Sequence, residues 1–302
     1  MTRRYRLAIA AAALLSLGAF GTFSYVTAHQ RHRASAAAAL SEASPAAAST
    51  SDVASAALSA PSSGSTAASA TPDTTAAPML ASPTVGPLFA AGLNSSHHCT
   101  ASVVDSPHGD LLVTAAHCIS GAGTNLVFAP GYRNGHAPYG TWAVKAVYAS
   151  PQWLSDQSES DDFAFVLVTG AGGRSVQAAV GGNVLSTVAT TRGQSLVVSG
   201  YTAGLNDAPI ICATTEYRTS GFPSFDCPGF AGGTSGSPWI TDYDATTGTG
   251  DLVGVIGGLH QGGCDQATSY SAPFGPTTEQ TYQQAVAGGP GAVMPSTAGD
   301  GC

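Results

Sequence analysis

Short runs of residues with high β-propensity, separated by turn-forming residues, constrain the fold of this 302-residue chain more than any other feature. From Thr84 onward, Val, Leu, Ile, Phe and Tyr recur in short stretches between clusters of Gly, Asn, Asp and Pro. The stretches are residues 100–104, 111–116, 141–149, 163–168, 195–201, 208–217, 252–258 and 268–274. Strands of this length and spacing are typical of sandwiches and barrels, so the sequence predicts an all-β domain.

One stretch near the C-terminus has a helical pattern instead. Residues 277–286 read TTEQTYQQAV, in which Thr277 and Gln280 have the spacing of a capping box. The pattern stops at Gly288, and a glycine and a proline follow it. We therefore expect a single short helix after many strands.

The first 83 residues differ in composition from the rest. Three arginines precede an apolar run, and Val26-Thr27-Ala28 offers a small-residue cleavage site. Residues 1–33 are therefore interpreted as a cleaved signal peptide or as a retained signal anchor that tethers the chain through residues 7–28. Residues 34–83 are almost entirely Ala, Ser, Thr and Pro without an aromatic residue, so we expect a disordered linker or pro-segment.

The charge balance of the chain bears on the partners that it can bind. Only 9% of residues are charged, and from Thr84 onward five basic residues stand against fifteen acidic ones. Such an acidic domain is not expected to bind nucleic acid or an anionic membrane surface.

Six cysteines in an exported chain predict disulfides, with about fifteen pairings open from the residues alone. His97-His98-Cys99 is interpreted as histidines beside a bridged cysteine rather than as a metal site, and no metal or cofactor is indicated.

Three separate stretches together carry the residues of nucleophilic catalysis. They are LLVTAAHC, which contains His117, then DDFAFVLV, which contains Asp162, and AGGTSGSPW, which contains Ser235. A serine hydroxyl is a poor nucleophile at neutral pH, and it needs an imidazole to take its proton and a carboxylate to orient that imidazole. The surrounding glycines let the main chain turn sharply and expose amide N–H groups to a developing oxyanion.

These stretches resemble the motifs of chymotrypsin-family serine peptidases. Residues 114–118 resemble the histidine motif, residues 233–238 the serine motif, and Asp162 with its following Phe-Ala the aspartate motif. The order His, Asp, Ser is also that of this family. The resemblance implies two antiparallel six-stranded β-barrels, about 84–186 and 187–290, within a domain of residues 84–302 that ends in a short helix.

The resemblance also assigns roles to residues of the site. Ser235 is expected to be the nucleophile, His117 the general base and then acid, and Asp162 the group that orients the imidazole. The N–H groups of Gly233 and Ser235 are expected to form the oxyanion hole. Asp161 is the rival carboxylate, and Asp162 is favoured over it because it adjoins the Phe-Ala pair.

The family pattern implies disulfide pairs as well. Cys99 and Cys118 match the bridge that pins the histidine loop, and Cys212 and Cys227 lie where the second barrel often has one. Cys264 and Cys302 are left to pair with each other.

Specificity is predicted by position in the family pattern. The pocket floor is expected near Gly229, where there is no Asp to bind Arg or Lys, and its wall at Ile256, Gly257 and Gly258. Strand register places His260 outside the pocket, while a glutamyl-endopeptidase-like alignment would place it inside. The favoured register predicts small or medium apolar substrate side chains.

The residue before the nucleophile departs from trypsin-like members. Thr234 stands where they carry the Asp that pairs with a new N-terminal ammonium. We therefore expect activity to tolerate a ragged N-terminus around residues 80–90. The Thr234 variant of the motif resembles that of secreted bacterial members.

Two functional classes follow. The first is a secreted, monomeric serine endopeptidase that acts on polypeptide substrates through an acyl-enzyme. The second is a catalytically silent, surface-tethered binding or adhesion protein on the same fold.

Overall fold

The computed structural model describes residues 75–78, 82–203, 208–297, 299 and 302. The predicted signal or anchor at residues 1–33, and residues 34–74 of the predicted linker, lie outside the described residues. Among the residues that are described, no helix is long and apolar enough to cross a bilayer.

Strands dominate the described part of the chain, as the sequence predicts. Its fifteen strands are β1 (Ala77–Pro78), β2 (Val85–Phe89), β3 (His97–Val104), β4 (Leu111–Thr114), β5 (Val127–Phe128), β6 (Trp142–Ala149), β7 (Ala164–Gly170), β8 (Val184–Leu185), β9 (Ser195–Gly200), β10 (Ile210–Thr215), β11 (Tyr217–Thr219), β12 (Phe222–Asp226), β13 (Pro238–Asp244), β14 (Thr249–Val255) and β15 (Thr268–Tyr270). Its three α-helices are α1 (Pro151–Asp156), α2 (Val176–Val180) and α3 (Pro276–Ala287).

The first half forms a closed barrel with the strand order β2-β3-β4-β7-β6-β5. Side chains of a strand alternate between its two faces. In β3, Cys99, Ala101 and Val103 therefore fill the barrel core. On the other face, Thr100 Oγ1 donates to the Gly233 carbonyl of the second half, and Ser102 Oγ accepts from the side chain of Asn183. The predicted first six-stranded barrel is confirmed.

The second half consists of two sheets. A six-stranded sheet has the order β1-β10-β9-β13-β14-β8, and a three-stranded sheet has the order β11-β12-β15. The Cys212–Cys227 disulfide joins β10 to the residue after β12, and the side chains of Phe225 and Trp239 pack between the sheets. Side-chain packing and the disulfide, rather than one continuous ladder of backbone hydrogen bonds, thus connect the two sheets of this barrel-like half.

A third apolar cluster joins the two halves. Phe163 and Phe165 of the first half pack with Leu252 and Val255 of β14 and with Phe274, which precedes α3. This buried contact fixes the outer surfaces of the two halves against each other, and the predicted site residues lie along the same junction.

The helices agree in part with the sequence prediction. Helix α3 is present and ends at Gly288 in the left-handed conformation. Its N-cap is Gly275, whose N–H donates to Thr278 Oγ1 at 3.1 Å, so the predicted cap at Thr277 is wrong by two positions. The prediction of a single helix is also wrong, since α1 and α2 are present as well. Their sequences did not predict them because they are too short to show a helical period.

Part of the predicted linker is paired with the domain. Strand β1, at Ala77–Pro78, adds to the edge of the large sheet by pairing with Ile211 and Ile210 of β10. The N–H of Ala76 donates to the carbonyl of Pro228 at 2.9 Å. The ordered domain therefore includes residues upstream of Thr84.

Candidate active site

His117 lies in a 3₁₀ turn, Ala116–Cys118, that follows β4. The Cys99–Cys118 disulfide ties this turn to β3, and the histidine side chain is 8% exposed. The turn is therefore held on both sides, by β4 through the chain and by β3 through the disulfide.

Asp162 lies behind this histidine and is 1% exposed. Its Oδ2 accepts hydrogen bonds from His117 Nδ1 at 2.7 Å and from the Gly258 N–H at 2.9 Å. Its Oδ1 accepts from the backbone N–H of His117 at 2.9 Å. Because an ionised carboxylate only accepts, Nδ1 carries the hydrogen of the neutral ring, and Nε2 keeps the lone pair that a base requires.

The Ser235 loop approaches the histidine turn closely because Gly236 has no side chain. Gly236 has φ +83°, and a Cβ there would lie 2.2 Å from the Thr100 carbonyl oxygen and from Thr114 Oγ1. The Ser235 carbonyl accepts from the Thr100 N–H at 2.8 Å. Since Thr114 ends β4 three residues before His117, these contacts bring Ser235 to the histidine turn.

The amides of Gly233 and Ser235 make no hydrogen bond among the residues that the structure describes. The N–H groups of Thr234, Gly236 and Ser237 instead donate to backbone carbonyls. Amides without an acceptor beside a serine hydroxyl are what an oxyanion hole would require.

No hydrogen bond joins Ser235 to His117 among the described residues. Such contacts are often long in a free enzyme and shorten when substrate binds. The structure thus brings His117 and Asp162 into direct contact and places Ser235 on the adjoining loop.

The rival carboxylate does not contact the ring. Asp161 accepts from Ser158 Oγ at 3.2 Å, and none of its hydrogen bonds within the described chain involves His117. The turn folds the Asp161 side chain back on Ser158 and leaves it 9% exposed.

The side-chain hydroxyl of Thr234 has its hydrogen-bond partner within the same loop. Its Oγ1 donates to the Ala231 carbonyl at 2.7 Å, and the residue is 3% exposed, so this position neither needs an ammonium group nor carries a charge that could pair with one.

The structure limits how far the N-terminus could be shortened within residues 80–90 without loss of activity. Because β2 pairs with both β3 and β5, removing residues 85–89 would open the barrel.

A cavity of about 280 Å³ opens beside Ser235. Its apolar wall contains Ile256, as predicted by strand register, together with Phe230. The residues that line it are Phe230, Ala231, Gly232, Thr234, Ser235, Ile256, Gln261, Gly262, Gly263, Cys264, Asp265, Gln266 and Ser269.

The other predicted pocket residues have different positions. Gly229 lies against Ala76 and donates its N–H to the Gln266 carbonyl, so it is not among the lining residues. Gly257 and Gly258 pack against Asp162, where a Cβ on Gly257 would lie 2.8 Å from the Asp162 carbonyl oxygen. Sequence reasoning missed this role of the glycine pair, although a Gly-Gly step is itself a signal of close backbone approach.

His260 is also absent from the lining residues of the cavity. Its N–H donates to Glu159 Oε1 at 2.8 Å, which holds the residue on the Asp162 side of the loop. This position agrees with the favoured strand register.

All three expected disulfides are formed: Cys99–Cys118, Cys212–Cys227 and Cys264–Cys302. His117 and His260 each lie beside a disulfide pair, and sulfurs bonded in this way offer no thiolate to a metal ion.

Comparison with known proteins agrees with this geometry. A family model described as a trypsin-like peptidase domain matches residues 99–255. The solved protease Anisep from Arthrobacter nicotinovorans is 27% identical with a TM-score of 0.60, and the match covers 70% of this chain and 98% of that one. The serine protease AL20 from an extremophilic microorganism is 25% identical with a TM-score of 0.59, covering 69% and 99% respectively.

A Glu endopeptidase shares the fold at 16% identity with a TM-score of 0.55, covering 72% of this chain and 98% of that chain. A search of the curated proteins found no match. The family model spans more than half of the chain, and the solved proteases share its fold, so the chain belongs to the family of trypsin-like peptidase domains.

Proposed function

We propose that this peptidase-family protein is a secreted serine endopeptidase that uses Ser235, His117 and Asp162 as its catalytic residues. The observation that carries the proposal is the 2.7 Å bond between His117 Nδ1 and a buried carboxylate, which leaves Nε2 available to the serine loop. In this tautomer, the ring is ready to accept a proton from a hydroxyl.

The acylation step follows from these positions. Nε2 of His117 takes the Ser235 hydroxyl proton as Oγ attacks the substrate carbonyl carbon. The carbonyl oxygen becomes an oxyanion, to which the N–H groups of Gly233 and Ser235 donate. The tetrahedral intermediate collapses as Nε2 returns its proton to the leaving amine, and the acyl group stays on Ser235 as an ester.

Deacylation repeats the sequence with water. Nε2 removes a proton from the water that attacks the ester, and it gives that proton to Ser235 Oγ as the carboxylic acid leaves. Asp162 orients and stabilises the imidazolium through its contact with Nδ1, and two backbone N–H groups hold its carboxylate in place.

The cavity favours substrates with an apolar side chain before the cleaved bond. Phe230 and Ile256 supply buried apolar surface, and Oδ1 of Asp265 accepts from the N–H groups of Ala267 and Thr268. The cavity volume of about 280 Å³ leaves room for such a side chain.

Export of a monomer is part of the same proposal. Three disulfides are typical of an oxidising compartment outside the cytosol. Whether residues 7–28 are cleaved or tether the domain to the membrane lies outside the described residues.

A fluorophosphonate probe distinguishes this enzyme from a catalytically silent binding protein. We expect rapid labelling of the parent protein, no labelling of Ser235→Ala, and labelling slower by about four orders of magnitude in His117→Ala. Ser237→Ala is the matched control, because this serine of the same motif is fully buried and should not react. A folded parent that remains unlabelled would support the binding protein.

A further inference from the structure

The wall of the substrate cavity has an unusual backbone. The φ angles of His260, Gln261, Gly262 and Gly263 are +50°, +54°, +111° and +139°. The first two are not glycines, and residues with side chains persist in this region only when their surroundings hold them there. The loop that lines the cavity therefore requires restraint from outside itself.

Two tethers supply that restraint. The N–H of His260 donates to Glu159 Oε1 at 2.8 Å, which ties the start of the loop to the turn before Asp162. The disulfide between Cys264 and Cys302 ties its end to the C-terminus. Cys264 itself lines the cavity, so this second tether acts directly on the cavity wall.

The C-terminal segment is anchored on the first barrel before it reaches this disulfide. We call residues 288–297 and Cys302 the C-terminal strap. Met294 is 3% exposed within the barrel core, and its backbone exchanges hydrogen bonds of 2.7 and 3.1 Å with Gly121, in the loop after the histidine turn. Thr297 Oγ1 then donates to the His117 carbonyl at 3.0 Å.

We propose that the C-terminal strap is a positioning element that holds the cavity wall in its binding conformation relative to the histidine turn. The strap is fixed to the barrel that carries His117 and is covalently bonded to the loop that lines the cavity of the other half. This inference rests on the proposed peptidase function and adds a role that no motif of the chain indicates. Cys302 does not line the cavity and acts through Cys264 and the loop, so it is a positioning residue.

The proposal predicts an effect on substrate binding rather than on chemistry. A loop freed from Cys302 would leave its left-handed conformation for part of the time, and the apparent dissociation constant rises as the binding-competent fraction falls. A competent fraction of about one tenth would raise KM about tenfold, with kcat within about twofold, because the catalytic residues keep their own contacts.

The test compares the parent with a Cys264→Ser/Cys302→Ser double variant and with a variant carrying three glycines inserted after Thr297. The insertion keeps the disulfide and slackens the strap. Ser296→Ala is the matched control, since its exposed side chain makes no hydrogen bond among those described. KM and kcat on a peptide substrate, and the labelling rate with a small fluorophosphonate, are measured well below each melting temperature.

We expect about a tenfold rise in KM for both strap variants, with kcat and labelling rate near the parental values. A lower melting temperature with unchanged KM would overturn the proposal, because the strap would then be only a structural support. A fall in kcat and labelling rate without a change in KM would overturn it too. A folded parent without labelling or turnover would instead refute the peptidase function, and the positioning role with it.

Discussion

Replacing Asp162 with asparagine tests the role of the buried carboxylate. The two carboxylate oxygens accept three N–H groups: His117 Nδ1, the His117 backbone and Gly258. An amide has one oxygen and one NH₂ group, so in either orientation its NH₂ group faces at least one of these three N–H donors. A buried N–H without an acceptor costs about 1–3 kcal/mol, so we expect the free energy of unfolding to fall by about that amount.

The larger effect should be on catalysis. With an NH₂ group opposite Nδ1, the ring changes tautomer and Nε2 can no longer accept the serine proton, which lowers kcat by about 10⁴. This factor corresponds to about 5 kcal/mol of transition-state stabilisation. The assay is hydrolysis of a peptide amide by Asp162→Asn, with circular dichroism as the folding check. Asp161→Asn is the control, since that carboxylate does not bond to His117, and it should keep nearly all activity. A folded Asp162→Asn variant with more than a tenth of parental kcat would refute the reasoning.

Three other perturbations act on the scaffold. In Gly236→Ala, the new Cβ would lie 2.2 Å from two oxygen atoms at a positive φ, so we expect at least about 1–2 kcal/mol of lost stability by urea unfolding, and much slower fluorophosphonate labelling. Replacing Cys99 and Cys118 together by serine should cost about 3 kcal/mol in the same unfolding assay, whereas an unchanged midpoint would contradict this estimate. Burial raises the pKa of Glu216 above its ordinary value of 4.5, against the lowering effects of a hydrogen bond and a nearby arginine. The stability that this group contributes is present below pH 4.5 and is lost as pH rises through the folded-state pKa, so Glu216→Gln should gain more over the parent at pH 7 than at pH 4.

The proposed catalytic residues could be picked out because the chemistry proposed for them demands particular residue types in short motifs. His117 and Ser235 lie in such motifs, and Asp162 was separable from Asp161 by the Phe-Ala pair that follows it. Strand content was also predictable, because β-propensity and turn residues alternate along the chain. In each case the information lies within a few consecutive residues.

The remaining features depend on contacts between distant segments. The Gly258 N–H reaches Asp162 across 96 positions, and nothing in the local sequence specifies that approach. Gly229 has the sequence position of a pocket floor, yet its backbone is paired with the Gln266 carbonyl. The strap contact between Thr297 and the His117 carbonyl spans 180 positions and likewise has no local signal.

The identity of the nucleophile is tested most directly by trapping the acyl-enzyme. The protein is mixed with an activated ester, quenched in acid during turnover, digested and mapped by mass spectrometry. The account predicts the acyl group on Ser235 in the parent, at a level that rises and decays with turnover, and no acylated peptide in Ser235→Ala. Turnover at the parental rate in Ser235→Ala, or an acyl group carried by another residue, would contradict it.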